Sequence, residues 1–361
     1  MPIQQLFEQA IAQPRFSGPT LRAALLPVFM SDSRTPLTPY VTEVLGSDLA
    51  GHVLTSLVRS AFLIELVKHP KIETTKFEVR WAARLPPSDP RYASFETCLA
   101  IFNNLLEGLM VASRGSQEWN ILETFKQFSV LPYEIPVDYQ QRRLTAPIHT
   151  PDNVVWLWND PAIVRTIALR RAVRGEGIVA AEAAIFERVL DKVRVKTYLT
   201  DRALTGAHKT NREKRWEAHP ASVQFATRAL CLGIERELIE QVCYFEGFPQ
   251  EIQEVLRSEG VISWRETSVC PVTLAPLQYG HLKKELLASE HGKSSFHVGH
   301  LNPLKAVSDD PNVGHTAHNI AWISENGNRI QGNLSVADTR RMLFEMAQRY
   351  EARHWFGLGS L

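Results

Sequence analysis

Cysteine is scarce in this chain. Four of 361 residues are Cys (Cys98, Cys231, Cys243 and Cys270), and no two of them form a CxxC pair. A disulfide-stapled scaffold and a Cys₄ structural zinc are therefore not expected, and four thiols of this kind suit a reducing cytoplasm. No run of 18 apolar residues occurs, so no membrane span is expected. The opening MPIQQLFEQAIAQP has neither a basic stretch nor an apolar one, which speaks against a secretory signal. Charge of one sign is also missing: Lys and Arg number 40 against 39 Asp and Glu. A net charge of +1 is not that of a general nucleic-acid coat, so any nucleic-acid surface must be local. There is no internal repeat and no low-complexity tract.

What remains is an ordinary globular composition, 44% hydrophobic and 22% charged, long enough for two or three domains. The chain reads as mostly helical as far as residue 260. Apolar residues fall at helical spacing over Leu45–Val67, with Gly51 as an interruption, and again over Ala93–Ala112. Pro132, Pro136, Pro147 and Pro151 mark a turn-rich edge. Asp160-Pro161 supplies an N-cap and a proline at the first helical position for a helix running to Gly175. Further helices are expected over Ile178–Val193, over Ala221–Tyr244 behind His219-Pro220, and over Gln250–Glu259, stopped by Gly260. The last two would form a helix-turn-helix if Gln250, Gln253 and Arg257 read bases. Glu251, Glu254 and Glu259 would then face phosphates, so a packing role suits the pair better. Near the end, Ser335-Val336-Ala337-Asp338 reads as a capping box with Asp in place of Glu. It opens a helix over Val336–His354 whose Met342, Leu343, Met346 and Tyr350 would cover a core or face a second copy.

Residues 161–220 hold 13 Lys and Arg against 7 Asp and Glu. Such a run is most often a solvated face, but it also neutralises phosphates and gains affinity by releasing counterions. Lys209, Arg212, Lys214 and Arg215, in the polar stretch GAHKTNREKRW, are the candidates for DNA contact.

Chemistry concentrates further on. Seven of the twelve histidines lie in residues 261–361. The stretch FHVGHLNPLKAVSDDPNVGHTAHNIAWISENGNRIQGN, Phe296–Asn333, has His300 at the edge of an apolar strand and Asn319 opening a second strand, Ile320–Ile323. Asn328 and Arg329 follow at a short helix. This order resembles the HNH nucleases, the ββα-metal superfamily, closely over about 40 residues. The resemblance implies a hydrolase of phosphodiester bonds. His300 would be the general base, a task for which a near-neutral pKa is suited. Asn319 would fix the loop or hold the imidazole tautomer. Asn328 would bind a divalent ion through its side-chain oxygen, and Arg329 would meet DNA. An oxygen-rich site suits Mg²⁺ or Mn²⁺ better than Zn²⁺.

Two departures from the family stand out. The residue before the base is usually a ligand, and here it is Gly299. Side chains alternate along a strand, so His297 points the same way as position 299 and would replace the ligand; Asp309, Asp310 or water alone are alternatives. Many relatives also staple the motif with two CxxC pairs. Cys270-Pro271-Val272-Thr273 stands where the first would lie, as a remnant or an ordinary turn. His281, His291 and His354 are expected to be solvated.

The expected fold class is α+β: a helical subdomain over 1–150, a helical and locally basic DNA-contacting subdomain over 151–260, and a ββα-metal nuclease domain over 261–361. The expected function is that of a cytoplasmic, Mg²⁺- or Mn²⁺-dependent endonuclease acting on double-stranded DNA, similar to type II restriction endonucleases. A homodimer would cut both strands of a palindrome. A modification-dependent restriction nuclease and a DNA-binding regulator with an inactive HNH fold are the alternatives. A nuclease toxin fits less well, because residues 261–361 are balanced at 10 Lys and Arg against 9 Asp and Glu.

Overall fold

A computed structural model describes residues 3–12, 23, 27, 29, 46–68, 74–81, 86–112, 133–135, 147–156, 160–174, 178–200, 211–288, 294–304 and 313–353. The chain divides into two compact units. The first comprises Met1–Arg171 and Arg194–Gly233, and the second Ala172–Val193 and Ile234–Leu361. The class is α+β, with helices and small antiparallel sheets. None of the helices among the described residues is long and apolar enough to cross a membrane.

The first unit is built on helices α1 (Ile3–Ile11), α2 (Gly46–Phe62) and α3 (Phe95–Ala112) and a three-stranded sheet. Strand β1 (Leu63–Lys68) lies between β2 (Thr74–Val79) and a later strand, antiparallel to both. The helix expected over Leu45–Val67 thus ends at Phe62 and becomes a strand. Leu63–Lys68 has ladder partners on both edges, and pairing with distant chain overrides a local helical period. Val53, Leu57 and Phe62 of α2 and Phe102, Leu105 and Leu109 of α3 are fully buried. Phe62 sits 4.9 Å from Phe7 and 5.8 Å from Phe102 between ring centroids, tilted contacts that add to the area term.

Polar groups are buried beside that core. Arg80 and Glu217 form a two-pronged ion pair at 2.8 and 3.0 Å. Arg91 is paired with Asp89 at 2.8 Å and lies 3.6 Å from Glu213. Breaking one partner of such a pair costs about 3–5 kcal/mol, because the other charge is stranded. His149 bonds the Ala61 carbonyl through Nε2 at 2.9 Å, and burial and the nearby Arg80 hold its pKa far below the ordinary imidazole value. A cavity in this unit, lined by Arg80, Arg91, His149, Trp216 and Phe225 among others, is the space around these pairs.

After a two-residue pairing of β3 (Tyr133–Glu134) with β4 (Val155–Trp156), the helix opened by Asp160-Pro161 runs as α4 (Pro161–Arg174). The Asp160 carbonyl accepts its first bond from the Val164 N–H at 2.9 Å. Helix α5 (Ala180–Tyr198) extends beyond the expected Val193, and β5 (Asn211–Glu213) completes the sheet. The expected long helix from Ala221 is shorter: α6 spans Arg228–Cys243. Residues 219–227 are turns, with His219 Nδ1 accepting from the Ala221 N–H at 3.1 Å, and Thr227 Oγ1 accepts from the Leu230 N–H at 3.3 Å as the cap.

The second unit continues with α7 (Gln250–Ser258), ended at Gly260 (φ 66°), α8 (Tyr279–Leu287), β6 (Phe296–His300), β7 (Ile320–Ser324), α9 (Glu325–Gln331) and α10 (Val336–Ala352). Gln253, a candidate base reader, donates to the Cys243 carbonyl at 2.7 Å, so it serves packing. Trp322 of β7 is fully buried and anchors the hairpin. Its Nε1–H donates to the Leu238 carbonyl at 2.8 Å, and its ring stands 6.1 Å from that of Phe245. Val336 N–H donates to the Leu301 carbonyl at 2.8 Å and Ser335 caps α10, accepting from the Asp338 N–H at 3.0 Å. Beyond Thr339, Phe344, Met346 and Tyr350 are exposed.

Candidate active site

Strands β6 and β7 pair antiparallel in the register Phe296↔Ser324, Val298↔Trp322 and His300↔Ile320, and α9 follows directly. The local order is β, long loop, β, α. Phe296, Ile320 and Trp322, all buried, share one side of the hairpin. His297 and Gly299, opposite Ile323 and Ala321, take the other side. Helix α9 begins where Ser324 Oγ accepts from the Gly327 N–H at 3.1 Å.

His300 is the last residue of β6 and is half-buried. Its carbonyl accepts from buried Gln331 Nε2 at 2.9 Å, a bond that ties the strand end to the end of α9. Its Nε2 lies 3.0 Å from Nδ1 of His315, which is buried. Asn319 is fully buried and clamps the loop between the strands. Its Oδ1 accepts from the Asn302 N–H at 2.7 Å, and its Nδ2 donates to the carbonyls of Asn302 at 3.1 Å and Gly314 at 2.8 Å. Of the two tasks expected for Asn319, this geometry serves the loop. His315 makes a hydrogen bond with the His300 imidazole. Four residues before an Asn in a loop, it carries no local signal.

Asn328 is exposed on α9. A Cβ built on Gly299 would stand 3.9 Å from Asn328 Oδ1 and 2.8 Å from Ile323 Cδ1. Position 299, where the resemblance leads one to expect a ligand, and the Asn328 oxygen are therefore neighbours, and Ile323 fills the space a side chain at 299 would take. His297 is half-buried. Burial and the nearby Lys192 lower its pKa, against Glu285 and Glu325, which raise it. Asp309 and Asp310 lie outside the described residues. Among the described residues no group of three or more His, Cys, Asp or Glu converges where a metal ion could sit.

Cys270, expected as a remnant of a CxxC pair or an ordinary turn, lies beside the start of α9. Its Sγ accepts from Ser324 Oγ at 3.2 Å, and a Cβ on Gly327 would meet that sulfur at 2.6 Å. Burial pushes the thiol up, but hydrogen bonds from Ser324 and Thr273 outweigh it and leave the pKa below the ordinary value. The start of α9 is thus held against the Cys270 turn by hydrogen bonding and close packing, with only one sulfur present.

Among the described residues the basic side chains differ in exposure. Arg329 is well exposed and pairs with Glu325 at 2.5 Å. Arg215 is fully buried, donating to the Gln224 side chain at 2.9 Å and to the Lys196 carbonyl at 3.3 Å. Lys214 is buried with its ammonium 5.4 Å from the centre of the Trp216 ring. Arg170 is buried and donates to Tyr198, and Lys192 pairs with Glu285 at 2.5 Å. Arg212 is half-buried, and Lys209 lies outside the described residues. Of the cations at 161–220, Arg170, Lys214 and Arg215 are buried while Arg165, Arg171 and Arg188 are exposed, which a count of charges cannot show. Of the residues expected to be solvated, His281 is exposed, and His291 and His354 lie outside the described residues.

No protein-family model and no curated protein matches the chain. Among solved structures it is similar to a type II restriction endonuclease, at 16% identity and a TM-score of 0.27, over 36% of this chain and 55% of that one. The chain thus spans about half the length of that neighbour. At this score the likeness carries no argument, and the function rests on the site.

Proposed function

We propose that this chain is a sequence-specific, divalent-metal-dependent endonuclease that hydrolyses phosphodiester bonds of double-stranded DNA, with an HNH-type site at the β6–β7–α9 hairpin. The observation that carries this reading is the clamp at the end of β6. Fully buried Asn319, just before β7, ties Asn302, two residues after His300, to Gly314 at the far end of the inter-strand segment, while Asn328 Oδ1 lies near Gly299. His300 takes a proton from the attacking water, a step worth roughly 10²–10⁴-fold. A bound Mg²⁺ or Mn²⁺ would polarise the phosphate and relieve charge on the leaving oxygen. Asn328 would hold that ion, with His297 as the second protein donor. A sparse set suits Mg²⁺, which keeps several waters and takes one or two protein ligands. Arg329, exposed one residue after Asn328, meets a phosphate. Two copies acting together would cut both strands.

The test is plasmid digestion with Mg²⁺, with EDTA, and with His300→Ala. Cleavage that needs metal and falls at least about a hundredfold in the variant supports the reading, as loss of a general base should. DNA binding without cleavage at any Mg²⁺ or Mn²⁺ concentration supports the second reading, a regulator with an inactive HNH fold, which Gly299 in the usual ligand position favours.

A further inference from the structure

The contact between His300 and His315 leaves room for one hydrogen. With Nε2 and Nδ1 3.0 Å apart, one nitrogen donates and the other accepts. The two arrangements differ chemically. If His315 donates from Nδ1, a neutral His300 carries its proton on its own Nδ1 and has no lone pair for a water. If His300 donates from Nε2, its Nδ1 is unprotonated and basic.

We propose that His315 is a positioning residue that fixes the tautomer of His300, accepting at Nδ1 the hydrogen of His300 Nε2–H. This rests on the reading of His300 as the base. The second imidazole is well placed for the task. It is buried, and it sits in the loop segment Gly314-His315-Thr316 that Asn319 grips through the Gly314 carbonyl. The ring planes are inclined by 61° with centroids 5.3 Å apart, so they meet edge to edge at the nitrogens and do not stack. When His300 takes a proton from water at Nδ1, its Nε2–H continues to donate to a neutral acceptor. The proton balance is simple: one O–H bond breaks, one N–H bond forms on His300, and His315 keeps its own proton on Nε2 throughout. The arrangement resembles a carboxylate orienting a catalytic imidazole, with a neutral group in the orienting place.

The test uses the full chain and two variants. His315→Leu removes the acceptor. His315→Asn places an amide oxygen near the former Nδ1 and restores it. The Leu variant is expected to lose about 10- to 100-fold in kcat with KM for DNA within about twofold, since the tautomer matters to the reacting base and not to docking. The Asn variant is expected to recover most of that loss. Equal losses in both variants, or a Leu variant as active as the parent, would overturn the proposal. Long-range ¹⁵N–¹H spectra of the parent at pH 8 give a readout that needs neither variant folding nor catalysis. His300 is expected as the Nε2–H tautomer and His315 likewise. An Nδ1–H tautomer on either residue refutes the assignment. A parent that cuts no DNA under any metal condition refutes the nuclease reading, while the spectra still decide the polarity of the hydrogen bond.

Discussion

Replacing Asn319 tests the clamp on which the site depends. Its side chain is fully buried and makes three hydrogen bonds to main chain, at 2.7, 3.1 and 2.8 Å. Asn319→Ala leaves the Asn302 N–H and two carbonyls without those partners. A buried polar group left unsatisfied costs about 1–3 kcal/mol, and water reaching the loop would recover part of it. A loss of about 3 kcal/mol is therefore expected, equivalent to a fall of roughly 6–12 °C in the melting midpoint for a unit of this size. Asn319→Asp keeps the shape but replaces the Nδ2 donor with an oxygen facing two carbonyls, so it should be at least as damaging. Calorimetry of the intact protein measures both variants, and plasmid nicking measures the effect on His300, where a small displacement costs about 100-fold. If Asn319→Ala melts within about 2 °C of the parent, or if Asn319→Asp is indistinguishable from it, the loop is held by something else.

Gly327→Ala should destabilise by about 1–3 kcal/mol, because the new methyl would meet Cys270 Sγ at 2.6 Å; urea denaturation checks it. Gly299→Asp combined with Ile323→Val should lower the Mg²⁺ concentration for half-maximal cleavage, since it puts a carboxylate beside Asn328 Oδ1 and clears the 2.8 Å clash with Ile323. An unchanged Mg²⁺ titration would remove Asn328 from the ligand set. The purified protein should hold no stoichiometric zinc by elemental analysis; one zinc per chain would mean that Cys270 has partners other than Ser324 and Thr273. Glu213 is buried, and that burial, against the pull of Arg91, raises its pKa from 4.5 to about 7. A carboxyl raised on folding stabilises most below its unfolded pKa, and that contribution is lost as pH rises from about 4.5 through about 7. Glu213→Gln should remove this dependence and be at least as stable as the parent at pH 8 in thermal melts.

The residue order of the candidate site was legible in the sequence because its elements are short and local. A strand, a loop with Pro and Gly, a second strand and a short helix each have signals within a few residues. Ser335 and Gly260 were legible for the same reason, since caps and stops act on the nearest turn. Leu63–Lys68 was not, because its strand character comes from partners at Thr74–Val79 and Asn211–Glu213, and helical spacing has no means to express that. The fate of individual cations was not legible either. A sequence counts cations, but burial decides which remain available, and Arg215, Arg170 and Lys214 are held by main chain, a phenol and an indole ring. Only the tertiary structure brought His315 to His300, fifteen positions earlier in the chain, and set Asn328 near Gly299. The sequence determined which chemical groups lie near the hairpin; the packing of Trp322 and the grip of Asn319 decided which of them meet, because contact between segments is set by the shape of the buried interior.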